Sequence, residues 1–132
     1  MFFESKSVTP DTIVAEAQAL ADAGWRFVTL SQTVLSEDTL ALYYHFDKAL
    51  TMTHLRMEVD KNKPIPSISG VYFCALLIEN ETQDQFGVKF DGLPLDFHGG
   101  LYLEGEVTRA PFFTMTTARK KAPNTMAEEA KQ

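Results

Sequence analysis

Histidine and cysteine side chains offer the first candidates for chemistry in this chain. The three histidines, His45, His54 and His98, share no ligand spacing with one another, and none belongs to a zinc-binding motif of paired His and Glu. His45 and His54 fall on the outward faces of predicted strands, which predicts solvated side chains. Cys74 lies inside an apolar run, which favours a small core residue over a nucleophile. The sequence therefore predicts no catalytic residue and no metal ligand here.

Carboxylates offer the second candidates, since Glu79, Glu81 and Asp84 form a tight acidic cluster. General acid–base catalysis requires two carboxylates that face one site. On a helix Glu79 and Glu81 point about 200° apart, whereas Glu81 and Asp84 are neighbours at the i, i+3 spacing. Without a paired base, these acids predict a solvated face or a surface for a basic partner. A free-standing small enzyme or ligand-binding domain that uses Glu81 and Asp84 is the alternative.

Composition and charge narrow the function further. The net charge is −6, and residues 115–132 carry four basic and two acidic residues, so the remainder has a net charge of −8. An acidic body repels phosphate backbones, which argues against binding to nucleic acid. The longest apolar run, residues 71–78, is eight residues long, well short of the ~20 that cross a bilayer. We expect a cytoplasmic protein whose contact with a membrane is made only through partner subunits.

The first element that must position these residues is a helix near the N-terminus. Thr9 predicts the N-cap, Pro10 the first helical residue, and Asp11 a favourable charge at the positive helix end. Gly24 predicts the left-handed residue that ends the helix.

Strands and a second helix follow. Residues 25–30 are rich in β-formers, and residues 40–47 and 53–60 alternate between apolar and polar side chains, as strands with one buried face do. Residues 71–85 predict a second helix that Gly87 ends. The predicted fold class is α+β, with the N-terminal helix and the second helix packed on a mainly antiparallel sheet and an irregular C-terminal extension. Residues 1–114 form a single predicted domain, and residues 115–132 form a polar tail that is mobile or a docking arm.

Residues 66–94 read PSISGVYFCALLIENETQDQFGVKFDGLP. This segment resembles the signature of the complex I 30 kDa subunit family, a subunit of NADH–quinone oxidoreductase. In that family a Pro-Ser-Ile loop leads into a helix with Glu-Arg-Glu, then Asp, Phe-Gly-Ile, Phe and Gly-His-Pro. The matching positions here are Glu79, Glu81, Asp84, Phe86, Gly87, Phe90, Gly92 and Pro94.

The resemblance implies a non-catalytic structural or assembly subunit of an oxidoreductase complex. The family's arginine is Asn80 here and its histidine before proline is Leu93, and such departures favour the short form found in membrane-bound, energy-converting (Ech-type) [NiFe] hydrogenases, which couple ferredoxin-linked proton reduction to ion translocation. The implied partners are the large [NiFe] (49 kDa-like) subunit and the small iron–sulfur subunit. The NiFe centre and the iron–sulfur clusters are expected in those partners, and no cofactor in this chain. The alternative is the equivalent 30 kDa-type subunit of a quinone-reducing complex I.

The resemblance also implies a partner interface at the eight matching positions. Acids at the end of a helix, followed by phenylalanines in a glycine-broken loop, resemble an aromatic anchor beside a charged rim. The phenylalanines could equally complete the core of the domain itself.

Overall fold

The computed structural model describes residues 5–98 and residue 101. Two helices and six strands follow one another in this part of the chain, in the order β1 (Lys6–Val8), α1 (Ile13–Asp22), β2 (Arg26–Val34), β3 (Thr39–Lys48), β4 (Thr51–Asp60), β5 (Ile65–Pro66), α2 (Ala75–Phe86) and β6 (Phe90–Asp91).

The four longer strands form one sheet in the order β1-β4-β3-β2. The β2–β3 and β3–β4 pairs are antiparallel, and the three-residue β1 adds to β4 in parallel. The two-residue β5 and β6 pair in parallel as a second, small sheet. This confirms the α+β class with a mainly antiparallel sheet. The sequence missed β1, β5 and β6, since two or three residues are too few to show a period.

The core lies on one face of the four-stranded sheet. The alternation predicted for β3 and β4 is confirmed, because every second side chain of both strands is buried, namely Leu40, Leu42, Tyr44, Phe46, Leu55, Met57 and Val59. Ile13 and Ala17 of α1 and Ala75 and Phe86 of α2 belong to the same apolar cluster. Alanine at positions 17 and 75 places little bulk at these contacts, which favours close packing.

The end of α1 is confirmed and its start is corrected. Gly24 has a φ of 89°, and the N–H groups of Gly24 and Trp25 donate to the carbonyls of Ala21 and Leu20, the pattern of a Schellman motif. The helix begins at Ile13 with Thr12 as N-cap, however, and not at Thr9 and Pro10. Residues 9–12 instead form a turn.

The second helix also begins later than predicted, at Ala75. Residues 68–74 form turns in which the N–H groups of Val71 and Tyr72 donate to the carbonyl of Ile68. One consequence is a correction to Cys74, which is exposed at the helix N-cap and is not a core residue. Gly87 ends α2 in the left-handed conformation, with a φ of 71°, as predicted.

Candidate partner interface

The structure divides the eight predicted interface residues into two groups. Glu79, Asp84, Phe86 and Phe90 are buried within this chain, with exposed fractions of 0 to 7%. The others are half-buried or exposed, namely Glu81, Gly87, Gly92 and Pro94. A solvated acidic face is therefore wrong for Glu79 and Asp84, and both phenylalanines belong to the core of the domain itself. An interface at the eight positions stays a prediction, and only the second group is accessible to a partner.

Glu79 joins α2 to the loop that precedes it. One carboxylate oxygen accepts a hydrogen bond from the Ser67 hydroxyl at 2.8 Å, and the other lies 3.3 Å from the Ile68 backbone nitrogen. Burial raises the pKa of Glu79 to about 7, although these hydrogen bonds favour the charged form. The hydroxyl of Tyr44 is also buried, and burial together with the nearby Glu79 raises the pKa of Tyr44 far above its usual value. Glu79 thus holds the Pro-Ser-Ile loop against α2.

Asn80 stands where the resembling family has arginine, and it is fully buried. Its side-chain nitrogen donates to the carbonyls of Leu76 at 2.9 Å and Leu95 at 3.0 Å. Its side-chain oxygen accepts the Phe97 N–H at 2.9 Å. A carboxamide can donate and accept at once, as a peptide group does, so this one side chain satisfies the backbone of an irregular segment that lacks strand partners.

Gln83 and Asp84 extend these contacts along the same helix. The Gln83 side chain accepts the Phe90 N–H at 2.8 Å and donates to Asp96 at 3.0 Å, and Asp84 lies 3.3 Å from the Leu101 nitrogen. Burial raises the pKa of Asp96, but hydrogen bonds from Gln83 and from a backbone N–H outweigh it and hold that pKa below its usual value. We call Asn80, Gln83 and Asp84 the polar face of α2. This face binds the chain's own residues 90–98 and residue 101.

Three large apolar side chains beside the polar face are exposed. Phe73, Leu77 and Leu95 have exposed fractions of 71%, 59% and 53%. Phe73 lies in the turn just before α2, and its carbonyl accepts the N–H of Leu76, the residue before Leu77. The Asn80 side chain bonds the carbonyls of both Leu76 and Leu95, which places Leu95 next to the turn that carries Leu77. We call Phe73, Leu77 and Leu95 the apolar patch.

The apolar patch was not predicted from the sequence, although the sequence contains a pattern that indicates it. Residues 71–78 are all apolar, and a helix that lies on a sheet buries only one side. Glu79 and Asn80 occupy the buried side of α2 in its next turn. Some of the apolar side chains of residues 71–78 therefore face outward. Glu81, one turn after Leu77, is half-buried and puts an acid at the edge of the apolar patch.

Two of the three histidines, His45 and His54, lie away from α2. His45 and His54 are half-buried on the outer face of the sheet, directly opposite each other on β3 and β4. Their Nδ1 atoms are 2.7 Å apart, and His45 Nε2 lies 2.7 Å from the Ser31 hydroxyl. Burial and the neighbouring His54 lower the pKa of His45. Linear spacing concealed this pair, whereas the antiparallel register brings it together. Within residues 5–98 and 101, no three or more His, Cys, Asp or Glu side chains gather in a way that could hold a metal ion.

One family model matches this chain. The model of a family described as "Respiratory-chain NADH dehydrogenase, 30 Kd subunit" matches residues 6–111. No curated protein matches the chain. Among solved structures, a chain from a membrane-bound sulfane sulfur reductase, described as an archaeal respiratory membrane complex, superposes with a TM-score of 0.66. The two chains are 17% identical over 92% of this chain and 79% of the other, so this likeness is one of fold.

Proposed function

The chain belongs to the family of the 30 kDa subunit of respiratory-chain NADH dehydrogenase, and we propose that it serves as a non-catalytic assembly subunit of a membrane-bound oxidoreductase complex. The observation that carries this proposal is the family match, which spans residues 6–111 and so includes both helices and all six strands. The similar fold in a subunit of the sulfane sulfur reductase complex supports it. No helix in the described ranges is long and apolar enough to cross a membrane. Attachment to the membrane then depends on other subunits.

The surface of α2 supports packing on a larger partner. Interface centres are enriched in aromatic and large aliphatic side chains and depleted in charge, with a polar rim around them. The apolar patch has this composition, and half-buried Glu81 with exposed Pro94 extend it toward the predicted interface positions. Because Leu95 and Phe97 are hydrogen-bonded to α2, Pro94 and Leu95 are held in place before a partner binds, which lowers the entropic cost of association.

The specific complex we propose is an energy-converting [NiFe] hydrogenase, with the chain on its large catalytic subunit beside the small iron–sulfur subunit. The NiFe centre and the iron–sulfur clusters would lie in those partners. The replacement of the family's arginine by Asn80 and of its histidine by Leu93 supports this form. The equivalent subunit of a quinone-reducing complex I is the second candidate, because the matching family model is named for NADH dehydrogenase.

Capture of the full-length protein from detergent-solubilised native membranes tests the proposal. We expect stoichiometric recovery of a large subunit and a small iron–sulfur subunit, identified by mass spectrometry. Hydrogenase activity in the captured complex would support the hydrogenase form, and quinone reduction would support the second candidate. Recovery of the protein as a monomer under gentle conditions, without an oxidoreductase subunit, would contradict both.

A further inference from the structure

The outer face of the sheet carries two imidazoles whose ring nitrogens converge. His45 and His54 are cross-strand neighbours in the β3–β4 register, where opposite Cβ atoms are typically about 5 Å apart. Their ring centroids are 4.9 Å apart and their planes meet at 79°. At 2.7 Å between the two Nδ1 atoms, one nitrogen donates a proton to the lone pair of the other. The two Nδ1 atoms therefore already face each other at close range.

We propose that His45 and His54 bind one divalent transition-metal ion through their Nδ1 atoms. An ion such as Ni²⁺, Cu²⁺ or Zn²⁺ would take the place of the hydrogen between the two Nδ1 atoms, and the ring that carried this hydrogen would bind as its other neutral tautomer, protonated on Nε2. With metal–nitrogen bonds of about 2.0–2.1 Å, two ligands of a tetrahedral ion stand roughly 3.3 Å apart. The rings therefore have to separate by a few tenths of an ångström and turn toward the ion, which half-buried side chains can do by small rotations about their side-chain bonds. Imidazole nitrogen suits these ions better than it suits Mg²⁺ or Ca²⁺.

Ser31 supplies the orienting contact that metal-binding histidines usually have. A ligating imidazole commonly donates its other ring N–H to an oxygen, which fixes its tautomer and its orientation. Here the other nitrogen of His45, Nε2, lies 2.7 Å from the Ser31 hydroxyl on the adjacent strand β2. When Nε2 carries the hydrogen and Ser31 accepts it, the Nδ1 lone pair of His45 is directed at His54. Ser31 is thus a positioning residue for the pair.

The two histidines provide two of the positions around the ion. Rigid β-strands fix the spacing of the two ligands, so the entropic cost of bringing them together is met by the hairpin. The site is independent of the proposed partner interface, because β3 and β4 present these rings on the face of the sheet opposite to the core.

Titration of the untagged full-length protein with NiCl₂ by calorimetry tests the proposal, with ZnCl₂ and CuCl₂ as further probes. We expect one ion per protein molecule, with affinity in the order Cu²⁺ > Ni²⁺ and Cu²⁺ > Zn²⁺. His45→Gln and His54→Gln each weaken binding by more than about tenfold, and Ser31→Ala weakens it by about tenfold with the stoichiometry retained. His98→Gln is the matched control, since it removes the third histidine of the sequence, and its affinity stays that of the wild type.

A second measurement on the wild type avoids any effect of the substitutions on folding. Paramagnetic Ni²⁺ should broaden the ring proton signals of His45 and His54 in NMR spectra at sub-stoichiometric concentrations, while those of His98 persist. Unchanged affinity in both His→Gln variants, broadening confined to His98, or absence of binding at millimolar Ni²⁺ would each overturn the proposal.

Discussion

The carboxyl group of Glu79 lies fully buried between α2 and the loop before it, and its pKa is raised to about 7. Over a range of pH, the folded protein keeps a proton on Glu79 that the unfolded protein has lost. The stability of the protein therefore depends on pH in that range. The contacts with Ser67 and Ile68 also make Glu79 the link between the Pro-Ser-Ile loop and α2. Its role in this structure is to hold two parts of one chain together.

Replacing Glu79 with Gln should flatten the pH dependence of stability. Between the ordinary pKa of 4.5 and the native value of about 7, the folded protein binds more protons than the unfolded protein, so the free energy of unfolding falls as pH rises through this window. The loss contributed by Glu79 is at most roughly 3 kcal/mol. Urea unfolding at pH 5 and pH 8 measures it, and Glu58→Gln, at an exposed position, serves as control. An equal pH slope in wild type and Glu79→Gln would contradict the assignment.

Asn80 carries the second prediction at this scale. Asn80→Ala leaves the Leu95 carbonyl and the Phe97 N–H without their partner, and we expect a loss of about 2 kcal/mol in the free energy of unfolding. Asn80→Asp retains an acceptor for Phe97 but directs an oxygen at two carbonyls, so it should be no more stable than Asn80→Ala. Urea unfolding provides the values, and faster hydrogen exchange at the Phe97 amide would localise the change.

The control for Asn80 lies on the same helix. Gln85 is half-buried and its side chain bonds Glu81 within α2, so Gln85→Ala should change stability by less than about 0.5 kcal/mol. Equal losses for Asn80→Ala and Gln85→Ala would contradict the role given to Asn80.

At the scale of elements, α2 is a helix with polar side chains on its buried side. The sequence predicted a helix ended by Gly87, and both are confirmed. It predicted that the acids face solvent, because acidic residues rarely lie in a core unless they are paired. The partners of Glu79 and Asp84 come from residues 67–68 and residue 101, which are 11 to 17 residues away in sequence. The spacing of residues within a helix carries no information about contacts with residues so distant in sequence.

The sheet was more predictable than the helices. The alternation in β3 and β4 depends on one buried face, and this signal persists over eight residues in each strand, residues 40–47 and 53–60. The start of α1 was predicted at the wrong residue because Thr9, Pro10 and Asp11 favour a turn as well as a helix end. Predicting that His45 and His54 face each other requires the register in which β3 and β4 pair. The alternation alone fits several registers that differ by two residues.

Substitutions in the turn between β3 and β4 should increase the stability of the protein. Ala49 and Leu50 both have positive φ, 48° and 67°, as a two-residue type I′ turn requires, and neither residue favours this conformation. Ala49→Asn combined with Leu50→Gly should raise the free energy of unfolding by about 1 kcal/mol or more. Thermal unfolding measures the change. Leu50→Ala removes the exposed side chain but keeps the strain, so it should give no such gain. A double variant no more stable than Leu50→Ala would contradict this prediction.

At the scale of the whole molecule, the described part of the protein has one surface suited to a large partner. The apolar patch lies beside a segment that α2 holds in place, in a protein whose body is acidic. We expect the partner to present apolar side chains with basic residues at the rim, because opposite charge steers association and sets its orientation. The predicted tail, residues 115–132, lies outside the described residues, and its role as a docking arm stays a prediction.

Leu77→Glu should reduce recovery of the partner subunits without unfolding the protein. Leu77 is 59% exposed, so the free energy of unfolding should change by less than about 0.5 kcal/mol, while a charge at the centre of an apolar interface should reduce recovery tenfold or more. Leu50→Glu, at an exposed apolar residue on the hairpin, is the matched control and should retain its partners. Equal recovery in the two variants would exclude the apolar patch from the interface.

The most direct measurement is site-specific photocrosslinking in native membranes, with the photoreactive residue at position 77 and, in a matched variant, at Thr33. Thr33 is exposed on β2 and points to the opposite face of the sheet from Gln32, whose side chain bonds Thr82 of α2. If the protein is an assembly subunit that packs through the apolar patch, position 77 should crosslink to a large oxidoreductase subunit and position 33 should not. Crosslinks from position 33 instead would contradict the surface, and the absence of an oxidoreductase subunit from the products of both positions would contradict the function.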